Sequence, residues 1–349
     1  MSKDISVFVG MSGGVDSSVT AALLKQQGYL VTGVYMKNWS QDLPGMRCPW
    51  LEDYQDAKRV AVHLGIPFKM YDFETQYRAK VVDYMIDEYR LGRTPNPDIM
   101  CNQEVKFKLF LQTALSDGAD MIATGHYVRA QQGQLHTGMD ADKDQSYFLY
   151  RVTKQALQRS LTPIGIYTKP KVRQLARQFG LSTAEKKDSQ GICFVGQVGI
   201  KDFLLHELGE QSHGLIRDQY GNSIGEHDGA LFYTIGQRHG LNVGGGLPYY
   251  VTSKDMLKNE VSVTTDLQDS NLWKRTIKLN DVHWINKVPK NGSKYSLRTR
   301  YRAPLVEGRL QIDGDLASIQ LSEDIRAITP GQSAVVYEGD QVLGGGIVV

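Results

Sequence analysis

The chain has 349 residues, beyond the size at which one hydrophobic core stops growing, so two or three domains are expected. With 41% hydrophobic and 22% charged residues it is an ordinary folded protein, which excludes a long disordered tract, and its formal charge of +2 says little about partners. No apolar run approaches the ~18 to 20 residues of a membrane helix and no basic-then-apolar leader opens the sequence, so the expectation is a cytoplasmic protein with no membrane partner.

In chain order, Ile5 to Gly10 is an apolar run of strand length, Val15 to Gln27 has helical spacing and ends at Gly28, and "YLVTGVYM" (Tyr29 to Met36) is the next strand. That is a βαβ unit and implies a parallel sheet. A helix over Asp53 to Pro67, a strand at "FKMYDF" and a buried strand at "MIATGHYV" (Met121 to Val128) continue the alternation, so the first 202 residues read as a doubly wound α/β domain. From about Phe203 glycines multiply and helical periodicity fades, predicting a small β-rich central domain over 203–272. Over 273–349, short alternating strands separated by Asn-Gly, Glu-Gly and Asp-Gly turns predict an antiparallel β-barrel or sandwich.

The first strand-to-helix junction carries "GMSGGVDSS", Gly10 to Ser18. Such a turn presents unpaired backbone N–H groups and the positive end of a helix dipole, which together bind phosphate. Gly13 and Gly14 permit close backbone approach, Ser12, Ser17 and Ser18 could donate hydroxyls, and Asp16 could orient the turn or help hold magnesium. No lysine follows to make a Walker loop, and the spacing is not that of a dinucleotide fingerprint. A Ser/Gly turn that only caps a helix is the plain alternative.

In "GRTPNPDIMCNQEVKF", Pro95 and Pro97 stiffen a loop that fixes Asn96, Asp98 and Cys101 ahead of a helix beginning near Asn102. A cysteine at a helix N-terminus tends toward the thiolate, and Asp98 suits general acid or base work. Cys193, in "KKDSQGICFVG", lies near lysines with the same tendency, whereas Cys48 has no comparable setting. Three cysteines at these spacings make neither a disulfide framework nor a zinc pattern, and each could instead be a packing residue. Between Lys274 and Arg302 nine Lys or Arg stand against Asp281 alone, with Trp284, Tyr295 and Tyr301 interleaved. Strand alternation would set Arg298, Arg300 and Arg302 on one face, suited to a phosphate backbone, although a solvated charged face has the same composition.

"SGGVDSS" resembles the pyrophosphate loop of the PP-loop ATP pyrophosphatases, which adenylate an oxygen and release pyrophosphate. With "GVYMKNW", "GRTPNPDIMCNQEVKF", "ATGHY", "KDQSYFLY", "DSQGICFVG" and "YTIGQRHGL" in this order, essentially the whole chain resembles the bacterial tRNA-specific 2-thiouridylases. The resemblance implies ATP at Gly10, Met11, Ser12, Gly13, Gly14, Val15, Asp16, Ser17, Met36 and Gly125, with Mg2+ at Asp16. It implies Cys193 as persulfide carrier, Cys101 as its partner in a disulfide, and Asp98 as general acid or base. Persulfide attack on the adenylated carbon, or hydrosulfide released by Cys101, are both open. It further implies target-base contacts from Asn96, Pro97 and Asp98, and tRNA contacts from His126, Lys143, Asp144, Gln145, Arg300, Tyr301 and Gln332. The implied partners are the anticodon stem-loops of Lys, Glu and Gln tRNAs and a sulfur-relay protein or cysteine desulfurase. Rival readings are another PP-loop synthetase or amidotransferase, which would need no cysteine pair, a nucleotide-binding thiol redox sensor, and an RNA-binding module, which leaves the first hundred residues unexplained.

Overall fold

The computed structural model describes residues 4–43, 48–188, 199–241, 243–244 and 246–349. The first unit is a five-stranded parallel sheet built from β1 (Ser6–Gly10), β2 (Leu30–Lys37), β3 (Phe68–Asp72), β4 (Met121–Ala123) and β7 (Ser160–Leu161), in the order β3-β2-β1-β4-β7. Between β4 and β7 runs an antiparallel hairpin, β5 (Val128–Gln131) and β6 (Gln134–Thr137).

Helix α1 (Val15–Gln26) follows β1. Val15 and every residue from Ser17 to Leu24 are buried, so it packs as a small-residue core helix rather than an amphipathic one. Helix α2 (Trp50–Leu64) ends where Gly65 takes a left-handed conformation, as the Gly-Ile-Pro sequence predicts. Helix α3 is continuous through Glu74–Tyr77, a π-helical turn at Arg78–Val82, and Asp83–Arg90. Helix α4 runs through Pro97–Met100, a π-helical Cys101–Leu109, and Phe110–Ser116. Helices α5 (Lys154–Gln158) and α6 (Lys169–Gln178) complete the unit, and α7 (Ile200–Leu208) leads into the next.

Two sequence expectations shift here. "MIATGHYV" is not one strand: β4 stops at Ala123, the chain turns over Thr124–Tyr127, and Val128 opens the hairpin. Helix α4 begins at Pro97, five residues before the expected Asn102, because the Asn96 side chain accepts from the Ile99 N–H (3.4 Å) and Pro97 supplies the first helical position.

The central unit is a four-stranded sheet built from β8 (Gly214–Arg217), β9 (Ser223–His227), β10 (Tyr250–Asp255) and β11 (Glu260–Thr264), in the order β10-β11-β8-β9. The last unit comprises β12 (Trp273–Trp284), β13 (Lys294–Arg298), β14 (Val306–Asp313), β15 (Leu316–Arg326), β16 (Ser333–Glu338) and β17 (Gln341–Val348). Strand β12 pairs with both β15 and β17, which closes these six strands into an antiparallel barrel. This is the predicted class: a doubly wound α/β domain, a β-rich central domain and a C-terminal barrel.

Side chains from one short segment join barrel to sheet domain. Asp144 pairs with Arg298 (3.0 Å), Tyr147 donates to the Ser333 carbonyl (2.9 Å), Tyr150 shares a hydrogen bond with Ser333 (3.1 Å), and Arg151 grips Asp281 through its side chain (2.8 Å) and carbonyl (2.9 Å). Strand β6 also extends the barrel sheet by pairing with β17. Burying this many mutually satisfied polar groups fixes the docking angle, since each would cost about 1–3 kcal/mol if left unpaired.

Candidate active site

Strand order changes direction around β1, whose neighbours are β2 and β4, and the crevice beyond these strand ends is where an open α/β sheet binds ligands. The residues expected at the nucleotide converge on it. Gly13 has φ +74°, and a Cβ there would overlap the Asp53 carbonyl, so only glycine fits. A Cβ on Gly125, just past β4, would lie 2.8 Å from the Ser17 backbone nitrogen, and one on Gly10 would meet the Met36 methyl at 3.0 Å. Gly10, Met36 and Gly125 therefore border one crevice although 115 positions separate the first from the last. Met11 and Val15 are 1% and 3% exposed, so they offer backbone only.

The serines divide by role. Ser18 is fully buried and donates to the Gly14 carbonyl (2.8 Å), which removes it from the expected phosphate donors. Ser17 donates to the same carbonyl (3.1 Å) and accepts from the Ser12 N–H (3.2 Å), holding the loop shut on itself. Asp16 accepts from Tyr127 (2.7 Å) and, through both oxygens, from Lys169 (2.8 and 2.9 Å). Lys169 also pairs with Asp188 (2.7 Å), which Lys143 (2.7 Å) and Arg173 (2.9 Å) hold from other sides. Burial alone would raise the Asp188 carboxyl, yet the hydrogen bonds from Lys143 and Lys169 prevail and hold it at about 2. Sequence reasoning misses Tyr127 and Lys169: a lysine 153 positions from its carboxylate partner leaves no local pattern.

Next to the crevice stands α4. His126, one residue past Gly125, is buried, bonds Thr124 through Nδ1 (2.8 Å) and lies tilted against Phe107 (ring centroids 5.7 Å apart). Phe107 shares α4 with Asp98 and Cys101. Burial lowers the His126 pKa well below 6.5, and Lys106 lowers it further, so the ring is neutral near neutral pH. Burial raises the Asp98 carboxyl above its ordinary value, with Lys106 partly offsetting the rise. Asp98 thus binds its proton more tightly folded than unfolded, and stability falls as pH rises from 3.8 through the raised value; His126 acts in the opposite sense, costing stability as pH drops below 6.5. Lys106, which acts on both groups, also escapes the sequence reading although it stands in the quoted motif, about two helical turns after Asp98.

Cys101 is 3% exposed and sits more than a full turn inside α4, so the expected effect of the helix N-terminus on its thiol is weakened. Cys193 lies outside the described residues, as does the geometry of any Cys101 to Cys193 pairing. Cys48 is half-buried, donates to the Trp39 carbonyl (3.7 Å), and burial pushes its thiol up, the setting of an inert cysteine.

Of the residues implied for RNA, Asp144 is 4% exposed and spent on Gly138, Ser146 and Arg298, which makes it a structural carboxylate. Gln145 accepts from the Tyr127 N–H (2.9 Å). The expected row of Arg298, Arg300 and Arg302 does not form. β13 ends at Arg298, whose charge is turned inward to Asp144, and the chain then turns through Arg300 and Arg302, both exposed. Tyr301 packs on Phe148 (4.6 Å) with the Arg302 guanidinium on its ring (5.1 Å). Gln332 donates to the Thr94 carbonyl (2.9 Å), reaching the segment that leads into Asn96 and the start of α4.

A family model described as "tRNA methyl transferase HUP domain" matches residues 5–197, a "tRNA methyl transferase PRC-barrel domain" matches 201–265, and an "Aminomethyltransferase beta-barrel domain" matches 274–348. A protein of Neisseria meningitidis serogroup C named tRNA-specific 2-thiouridylase MnmA is 47% identical over 98% of this chain and 95% of its own length. One of the same name from Bacillus licheniformis is 45% identical over 99% and 95%. Solved structures are more distant: a 4-thiouridine synthetase in complex with RNA and bound ATP has a TM-score of 0.39 at 18% identity, covering 58% of this chain and 50% of that one. The NMN synthetase of Francisella tularensis has a TM-score of 0.37 at 17% identity, covering 60% and 79%. Identity this high over nearly the full length of both curated relatives places the chain in the tRNA-specific 2-thiouridylase (MnmA) family.

Proposed function

We propose that this protein is a cytoplasmic, AMP-forming sulfurtransferase that converts the wobble uridine of tRNA to 2-thiouridine. One contiguity carries the reading beside family membership: Gly125 abuts the phosphate loop at Ser17, and the next residue, His126, packs on the helix that bears Asp98 and Cys101. The helix that His126 packs against thus also carries a proton-holding carboxyl, Asp98, about two and a half turns from Phe107.

ATP fits the loop, where Gly13 lets the backbone lie directly against Asp53 and where free backbone N–H groups open α1. When bound, it supplies adenylation of the C2 oxygen, so that the oxygen departs with AMP after pyrophosphate is released. Met36 and Gly125 are the proposed borders of its base and ribose. Among the described residues no group of three His, Cys, Asp or Glu side chains converges on a metal position, and both Asp16 oxygens are engaged by Lys169. The described residues do not build a magnesium cage; Mg2+ would enter with the phosphates, with Asp16 as the carboxylate of the loop.

Asn96, Pro97 and Asp98 would hold the flipped base. Asp98, its proton held by burial above the ordinary carboxylate range, would donate to and retrieve a proton from the reacting edge. Sulfur would come as a persulfide on Cys193, loaded by a relay protein or cysteine desulfurase. Transfer of the terminal sulfur to C2, with a bond formed from Cys101 to Cys193, leaves a disulfide that an external dithiol reopens, which balances the electrons. His126, Lys143, Gln145, Arg300, Tyr301 and Gln332 are the proposed contacts to the anticodon stem-loop of Lys, Glu and Gln tRNAs.

Incubation of the protein with ATP, magnesium, a persulfide source and unmodified tRNA should yield 2-thiouridine by mass spectrometry. Cys193→Ser should abolish sulfur insertion while ATP binding persists. Unchanged thiolation in that variant would remove Cys193 from the chemistry.

A further inference from the structure

One residue past Cys101 stands an amide that the fold keeps at a cost. Asn102 is 3% exposed; its Nδ2 donates to the Phe148 carbonyl (3.2 Å), and its Oδ1 is buried and accepts from no described residue. Turning the amide over does not mend this, because a carbonyl only accepts and Nδ2 must therefore face Phe148. A buried acceptor left unpaired destabilises a fold, whereas an apolar side chain of similar branching fills the space without that loss. The neighbouring Gln103 is the ordinary case. It accepts from Arg151, which grips Asp281 of the barrel, and donates to Glu104 (2.9 Å), so both ends of its amide are used. Gln103 is a strut, while the single bond of Asn102 is kept for what it joins.

At one end of that bond is the thiol helix. α4 passes from α to π geometry at Cys101, and π-helical turns collect at functional sites. Asn102 lies in the first turn of the π-helical stretch, beside a thiol that is itself buried. At the other end Phe148 belongs to the 3-10 turn Ser146–Leu149, within the segment that joins the sheet domain to the barrel. Tyr147 packs edge-on to the Phe148 ring (5.5 Å) and holds the Ser333 carbonyl through its hydroxyl, and Tyr301 lies against the same ring (4.6 Å) under the Arg302 guanidinium. Packed interiors transmit displacement, so a load on Tyr301 reaches Phe148, and the Phe148 carbonyl carries the Asn102 amide.

We infer that Asn102 is a positioning residue for sulfur transfer: through the Phe148 carbonyl it ties the Cys101 thiol to RNA seated on Tyr301, so that bound RNA uncovers the thiol. The inference rests on the RNA reading of the function. Asn102 acts through Phe148 and Cys101 and not on the RNA itself.

The test uses the full-length chain with Cys48→Ser and Cys193→Ser, which leaves Cys101 as its one thiol, and an anticodon stem-loop RNA abasic at the wobble position, so that no base covers that thiol. Bound RNA should speed alkylation of Cys101 by iodoacetamide about tenfold, and in Asn102→Leu the acceleration should vanish while RNA Kd and melting temperature hold. With the cysteines restored and the wobble uridine present, Asn102→Leu should lower kcat for thiolation at least about tenfold, with KM for RNA and first-turnover pyrophosphate release unchanged. Asn102→Asp supplies the pH profile. Ionised at about pH 8, it has no proton to donate to Phe148 and the RNA effect is lost; toward about pH 6 the buried carboxyl takes up a proton, donates again and the effect returns. An RNA effect of parental size in both variants at every pH, or none in the parent, would overturn the inference. If the Asn102 variants misfold, Phe148→Leu decides, since it strips the ring from under Tyr301 and keeps the carbonyl: a diminished RNA effect supports the coupling and an intact one overturns it. Asn102 variants that thiolate RNA as wild type does sink only this inference, whereas RNA that wild type neither binds nor thiolates sinks the functional reading.

Discussion

The glycine-rich loop and the basic stretch of the barrel stand out equally in the sequence, yet the structure builds them from different ranges of the chain. Gly10 to Ser18 works through backbone: its φ values, free N–H groups and the start of α1 follow from residues within ten positions of one another. The stretch from Lys274 to Arg302 works through side chains whose partners come from far away. Arg298 answers to Asp144, 154 positions earlier, and so a cation counted as a phosphate ligand is an internal strut. Local backbone chemistry is readable from a string; the destination of a long charged side chain is set by tertiary packing.

The sharpest way to break this contrast is Gly13→Ala. The methyl would overlap the Asp53 carbonyl, and backbone, unlike the end of a flexible side chain, cannot step aside. The left-handed φ adds roughly 1 kcal/mol of its own. ATP-dependent pyrophosphate release should fall at least about a hundredfold, a barrier change of about 2.7 kcal/mol, while RNA affinity is kept. A variant with full turnover would mean that the loop is not the phosphate cradle.

The same contrast explains what could be read in advance. β1, α1, β2 and the barrel strands follow from periodicity and turn residues, and the α4 cap needs only Asn96 and Pro97. A start for α4 at Asn102 treats both prolines as loop markers, when the second is a favoured first helical residue. The Asp16, Lys169 and Asp188 chain joins three distant segments, and no spacing rule connects them. Lys106 is legible as part of a motif but not as a charge, because its action on Asp98 and His126 depends on the turn after β4 docking against α4.

Next in size is Asp144→Asn. Asp144 is buried and accepts four hydrogen bonds, one from the Arg298 guanidinium. Neutralising it leaves an uncompensated cation and turns acceptors into donors, at about 3 kcal/mol. Chemical denaturation should show the loss, and the salt dependence of RNA binding should not change. A variant of native stability with a steeper salt slope, Arg298 being released to a phosphate, would restore Arg298 to the RNA surface and erase the contrast between the two regions.

The smallest effect belongs to Arg302→Ala. Arg302 is exposed in the turn after β13, and its guanidinium lies over the Tyr301 ring. It strands no buried partner when removed, so stability should stay within about 0.5 kcal/mol. If it neutralises one RNA phosphate, its loss releases one counterion fewer on binding, and the slope of log K against log salt should become shallower by about 0.9. Arg298→Met provides the mirror image: marked destabilisation with the slope intact. Side by side, the two substitutions separate a cation that binds the ligand from one that holds the binding surface together, which charge counting along the sequence treats as the same thing.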